Sequence, residues 1–343
     1  MEKGPIDSTD ALARGGPYDG AAAEPWFLPD DGGDRDGGDI LPPLPRADRR
    51  PLVDPAAWAA AQAALAADLA ELAWLYGTLE ERLRAGPAGW WHRLALREAS
   101  ELSWAVGDRI PVERLALWLA LRLSGVQEDA LGLARAAWAQ RRLLGPEGIG
   151  SEGEGGLAGF FGRHGGEENL ADLRALRAEL VRLHPVVRAV ALAQAWLMLG
   201  AGGPAGQIEA LVLAGRMAAG MGRGDGFVPQ AGAWTQHGGS VQDRLSLWLH
   251  GAARATRAAL SHLDRLAAWQ RRAARAMDDQ KGRTAGLLVA VLTEWPMVTG
   301  PMAEALTGTS TASVLRNLTL MERRGVLREV TGQGRYRVWT AAL

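Results

Sequence analysis

The sequence predicts a mainly α-helical protein with one small β element at its C-terminal end. Three observations carry that expectation. Ala, Leu and Arg dominate the 343 residues, and hydrophobic residues make up 48% of them, enough for a sizeable core. Apolar positions recur at three- and four-residue steps from about residue 54 to residue 278. Strict alternation is confined to "VLREV" (326–330) and "YRVWT" (336–340), near the end of the chain.

Residues 1–50 are rich in Gly, Pro and Asp, as in "DDGGDRDGGDILPPLPRADRR", and are expected to form a disordered acidic tail. The first 40 hold ten acidic residues against Lys3, Arg14 and Arg35. Trp26, Phe27 and Leu28 are an apolar island within that tail, able to dock on a folded body.

A helical body is expected over 51–240. Asp54 is a candidate N-cap with Pro55 at the first helical position, and the pattern runs to Arg84, where "AGPAG" breaks it. Further helices are expected at 90–106, 111–124 and 127–143. The stretch 145–168 reads as a flexible Gly-rich insert. It contains Gly148-x-Gly150-x-x-Gly153, but a nucleotide-binding fingerprint needs a strand before it and a helix after it, and here a helix precedes. Helices resume at 169–182, 185–199 and 204–221. A loop at 222–240 leads into a long connecting helix, 241–280 including its tail. Leu245, Leu249, Ala252, Thr256, Leu260, Leu263 and Ala267 form one apolar stripe on it, and the helix as a whole is a candidate dimer element.

The last segment, 281–343, follows the order helix, strand, helix, turn, helix, strand, strand. A first helix spans 283–294, with Leu287, Leu288, Val291 and Leu292 inward, and Met297–Val298 forms a short strand. Thr299 caps a second helix, 301–306, with Pro301 in its first turn. Gly308 turns the chain, Thr309 or Ser310 caps a third helix over 311–324, and Gly325 ends it. The two alternating strands flank the Gly-rich tip "TGQG". This order predicts a winged helix-turn-helix with a small β-wing, a module that places one helix in the DNA major groove.

The third helix carries the expected chemistry. Ala312, Leu315, Leu318 and Met321 or Leu320 are assigned to its buried side. Thr309, Ser310, Thr311, Ser313, Arg316, Asn317 and Arg324 are the candidate DNA contacts, joined by Gln333, Arg335 and Arg337 on the wing. Arg pairs bidentately with guanine, Asn with adenine, and hydroxyls reach bases or phosphates. Residues 281–343 hold eight basic residues against four acidic ones, which suits a phosphate-binding surface. Arg271, Arg272 and Arg275 are placed to extend that footprint.

Other chemistries lack a pattern. There is no Cys, which excludes disulfides and thiolate metal sites, and no G-x-S-x-G or P-loop. His92, His164, His184, His237, His250 and His262 show no metal spacing and read as surface or cap residues. Trp90, Trp91 and His92 are expected to pack on the 54–84 helix, with the lining of a ligand pocket as the alternative. No cofactor is expected. The N-terminus lacks a signal-peptide core and the longest apolar run, 185–200, contains Arg188 and Gln194, so a cytoplasmic protein on the nucleoid, without membrane contact, is expected.

The segments "PMVTGPMAEALTGTS" and "LRNLTLMERRGVLREVTGQGRYRVW" resemble the C-terminal winged helix appended to many Fic-family proteins, with one extra residue around Thr307–Gly308. "LSLWLHGAARATRAALSHLDRL" (245–266) resembles the long helix joining the Fic core to its winged helix. "LHPVVRAVALAQAWLMLG" (183–200) resembles the helix leading into the Fic catalytic loop. The resemblance implies a His-Pro-Phe-x-Asp/Glu-Gly-Asn-Gly-Arg loop next, yet the chain continues "AGGPAGQIEALVLAGRMAAG" (201–220), without its His, its Asn or its magnesium-binding acid. His184-Pro185 stands a full helix too early, and the family's inhibitory motif has no counterpart in "ASELSWAVGD" (99–108). A Fic-like body without its catalytic loop is therefore expected. The layout is also similar to bacterial proteins that pair a helical domain of unknown function with a C-terminal helix-turn-helix. These readings predict a non-enzymatic, sequence-specific regulator that binds double-stranded DNA as a homodimer. A divergent Fic-type nucleotidyl transferase and a protein-binding adaptor are the alternatives.

Overall fold

Local capping chemistry sets most element boundaries in the computed structural model, which describes residues 53–121, 129–145, 156–162, 167–200, 202–233, 239–332 and 337–343. Among them lie thirteen α-helices and three short strands. No helix among the described residues is long and apolar enough to cross a membrane. The acidic tail, with Trp26 to Leu28, lies outside the described residues, as do Gly148, Gly150 and Gly153.

Asp54 caps α1 (Pro55–Ala64), its carboxylate accepting the Ala56 N–H at 2.9 Å. The single helix expected over 54–84 is instead two. Leu65 leaves helical geometry and α2 (Ala66–Ala85) restarts at once, a break that no Gly or Pro announces. Next come α3 (Gly89–Ala105), α4 (Val112–Leu121) and α5 (Ala130–Leu144). The insert expected to be flexible throughout holds a short helix, α6 (Gly156–Phe161). Leu157, Phe160 and Phe161 fall on one face and are buried, and Phe161 stacks on Trp196 with ring centroids 4.0 Å apart. Three aromatic and aliphatic side chains at helical spacing outweigh the glycines around them.

The helices α7 (Glu167–Glu179), α8 (Pro185–Met198) and α9 (Gly206–Ala218) follow, and α8 and α9 are buried almost throughout. Arg216 on α9 is itself buried. It donates to the carbonyls of Gly226 at 2.7 Å and Gly145 at 2.9 Å, which fastens the loop after α9.

The longest helix, α10 (Val241–Ala276), begins with a reciprocal cap between Ser240 and Asp243. At 1.5 Å per residue it spans about 54 Å. Its apolar stripe is covered within the chain: Leu245, Leu249, Ala252, Thr256 and Leu263 are buried, with α1, α2, α8 and α11 packed alongside. Leu260 and Ala267 are half-buried and packed against the same core, so the stripe serves the interior of the chain.

The chain ends with α11 (Thr284–Glu294), β1 (Met297–Thr299), α12 (Gly300–Thr307), α13 (Thr311–Arg323), β2 (Leu327–Glu329) and β3 (Val338–Ala341). The strands form an antiparallel sheet in the order β1-β3-β2, with Val298 opposite Trp339 and Arg328 opposite Thr340. One buried core runs from Trp58 on α1 to Trp339 on β3. Arg93 on α3 contributes to this continuity. Its guanidinium donates to Leu292 O at 2.9 Å and Trp295 O at 2.7 Å, satisfying carbonyls at the end of α11.

Candidate nucleic-acid interface

The turn between α12 and α13 is built from local chemistry. The Thr299 hydroxyl accepts the Met302 N–H at 3.3 Å, and Pro301 occupies the first turn of α12. Gly308 ends α12 in the left-handed region, at φ 60°. Ser310 then caps α13, accepting from Ser313 N at 3.4 Å, and Gly325 at φ 70° releases the chain into β2.

One side of α13 packs on α11, α12 and β2 through Val314, Leu318 and Met321, all fully buried. The opposite side faces solvent and presents Thr311, Ala312, Leu315, Arg316 and Arg323. This differs in phase from the sequence expectation. Ala312 and Leu315, assigned to the interior, are exposed. Val314, which received no role, is buried.

Asn317 is the principal correction. Expected to reach outward for adenine, it is only 8% exposed, and its amide donates to Ser313 O at 2.8 Å. The buried set 314, 317, 318, 321 follows the helical period and leaves position 317 inside. Arg324 is also committed. It donates to Asp279 at 2.5 and 2.8 Å and to Ala276 O, and this partner draws the Asp279 carboxyl down to about 2. Arg337 bridges to Glu322 at 2.6 Å and lies over the Trp339 ring at 4.9 Å, so it braces the sheet.

Of the remaining candidates, Ser310, Thr311 and Arg316 are exposed. The Thr311 hydroxyl donates to Glu304 at 2.7 Å, which sets an acidic group beside the face. Thr309 is half-buried against Thr307, and Ser313 shares a hydrogen bond with Thr284 at 3.0 Å. Gln333 and Arg335 lie outside the described residues. Arg323 was missed by sequence reasoning, although its place on the Arg316 side follows once the phase is corrected. Lys281, Arg283, Arg271 and Arg275 are exposed, and Arg272 donates to Ala342 O at 2.6 Å.

The other sequence candidates resolve into structure. Trp90 is buried against the turn at Gly86, Trp91 meets Phe227 edge-on, and His92 packs on Trp295 at 4.4 Å. His184 caps α8, and His250 bonds to Ser246 O. His262 is buried on α10, not at the surface. His164 and His237 lie outside the described residues. Between α8 and α9, where the Fic resemblance would place its loop, the described residues form a short 3₁₀ turn, and buried Glu209 accepts from the Trp196 indole at 3.2 Å.

No protein-family description and no curated protein matches this chain.

Proposed function

We propose that residues 281–343 form a winged helix-turn-helix and that the protein is a sequence-specific DNA-binding regulator. The supporting observation is the two-sidedness of α13: one side is fastened to α11, α12 and β2, and the other opens Thr311, Arg316 and Arg323 to solvent. A fixed helix with an accessible Arg and a hydroxyl suits the major groove, where Arg pairs with guanine and small apolar groups such as Ala312 meet the thymine methyl. Because one such helix reads a short site, two copies on a palindrome are the assembly this reading expects, joined through a surface other than the α10 stripe. The helical body is read as a Fic-like scaffold lacking its catalytic loop, so incubation with labelled ATP and magnesium leaves the chain unlabelled.

The experiment is selection of duplexes from a random pool by the full chain, followed by salt titration on the selected site. On this reading Arg316→Ala weakens the selected site by about 1–3 kcal/mol, and Arg323→Ala lowers the salt slope by about one. Absence of salt-sensitive duplex binding overturns the proposal.

A protein-binding adaptor is the second reading. It is favoured by two exposed apolar side chains, Leu306 on α12 at 45% and Leu315 on α13 at 41%. Leu315→Asp abolishes function on the adaptor reading while Arg316→Ala leaves it intact.

A further inference from the structure

A cleft of about 590 Å³ lies where α3, α4 and α10 meet β2, β3 and the last residues of the chain. Its size is that of a small-molecule site. Arg93, Arg97, Arg265 and Arg328 line it, against the carboxylates of Glu101 and Glu113 on exposed positions. Four guanidiniums face three carboxylates, the third being that of the last residue, Leu343. Arg265 and Arg328 are exposed and enter no ion pair among the described residues.

A second observation is independent of that charge count. His262, also lining the cleft, is 3% exposed, and its Nδ1 lies 2.7 Å from Arg97 Nη1. A guanidinium only donates, so Nδ1 accepts and the ring proton is assigned to Nε2. Burial, and then Arg97, Arg93 and Arg265, keep the ring neutral, lowering its pKa to about 3. That leaves Nε2 as a buried donor with no partner among the described residues, and Arg93 Nε is in the same condition. Unmade donors of this kind are costly, and they cluster here with excess positive charge.

We infer that this cleft binds a small ligand through an oxyanion, a carboxylate or a phosphate, held by the guanidiniums of Arg97, Arg265 and Arg328 with His262 Nε2 as a neutral donor. A carboxylate or phosphate oxygen supplies the acceptors that these groups lack, and Arg forks match its geometry. The walls come from the helical body on one side and from the C-terminal sheet on the other. A ligand here therefore touches both, whatever the C-terminal segment itself binds.

The test is calorimetric titration of the full chain with inorganic phosphate and, separately, malonate, at ionic strength held constant with chloride. Saturable binding of one or both anions, at one per chain, is expected, and the preferred anion distinguishes a phosphate ligand from a carboxylate one. Arg265→Gln and Arg328→Gln alter exposed side chains and keep the fold, as melting curves would verify. Each is expected to weaken binding roughly tenfold, while Arg275→Gln, elsewhere on α10, does not. No saturable heat from either anion, or equal binding by the Arg265→Gln and Arg328→Gln variants, overturns the inference. Because this readout involves no DNA, its failure is separable from failure of the DNA-binding proposal.

Discussion

The indole N–H of Trp269 donates to the carbonyl oxygen of Val326 at 2.7 Å, and the Trp269 side chain is fully buried. Trp269 belongs to α10, and Val326 is the residue from which the chain enters β2. The longest helix is thus pinned to the C-terminal sheet by a hydrogen bond inside the core. Trp269→Phe removes the donor and part of the packed volume. It is expected to lower the unfolding free energy by about 2–4 kcal/mol, measured by urea denaturation. A change below about 0.5 kcal/mol, the range of ordinary surface substitutions, would show that the contact contributes little.

Asn317 and Arg316 are adjacent in sequence and opposite in exposure, so their substitutions should separate. Asn317→Ala is expected to reduce stability by about 1 kcal/mol through loss of its bond to Ser313 O. Affinity for a selected duplex should stay unchanged. Arg316→Ala should do the reverse. A loss of affinity in a stably folded Asn317→Ala protein would return that residue to the contact surface.

Glu98 predicts a pH dependence. It is buried on α3, and burial raises its carboxyl from 4.5 to about 7, although it accepts the Gln230 N–H at 2.8 Å. The folded chain holds this proton at a pH where the unfolded chain has lost it. Stability from this group is therefore complete below pH 4.5 and declines as pH rises to 7. The decline is about 2–3 kcal/mol between pH 5 and pH 8. Glu98→Gln keeps an oxygen acceptor and should gain stability over wild type at pH 8 but little at pH 5. Comparing the two proteins at each pH cancels His262, whose lowered pKa acts with the opposite sign below 6.5. A constant difference between the proteins across that range would contradict the assignment.

Gly308 tests the turn before α13. Its φ of 60° is left-handed, and a side chain placed there would meet no atom within 4 Å. Gly308→Ala therefore carries only a backbone penalty, about 1 kcal/mol by thermal denaturation. A neutral result would mean that the turn relaxes to another conformation.

Most element boundaries were legible because their signals are local. Asp54-Pro55, "AGPAG" and Gly308 each act within four residues, and the structure uses all of them. The break at Leu65 carried no such signal, and the glycines around α6 hid its three apolar anchors. The phase of α13 is not legible in its own residues, whose apolar spacing places Leu315 in the interior. Burial there is decided by α11, α12 and β2, and that placed Val314 and Asn317 inside instead. The cleft around His262 was illegible for a different reason. Its walls come from α3, α4, α10 and two strands, so no spacing along the chain brings Arg97 and Arg265 together.

The uninterrupted interior from Trp58 to Trp339 bears on how the protein can be dissected. Excising the final sixty or so residues would bare the side of α11 that rests on α3 and strip its terminal carbonyls of the Arg93 guanidinium. Such a fragment is not a detachable cartridge, and its insolubility would say nothing about what the intact chain recognises. Point substitutions at the outer rim of α13, in the whole protein, are the cuts that leave the keel in place.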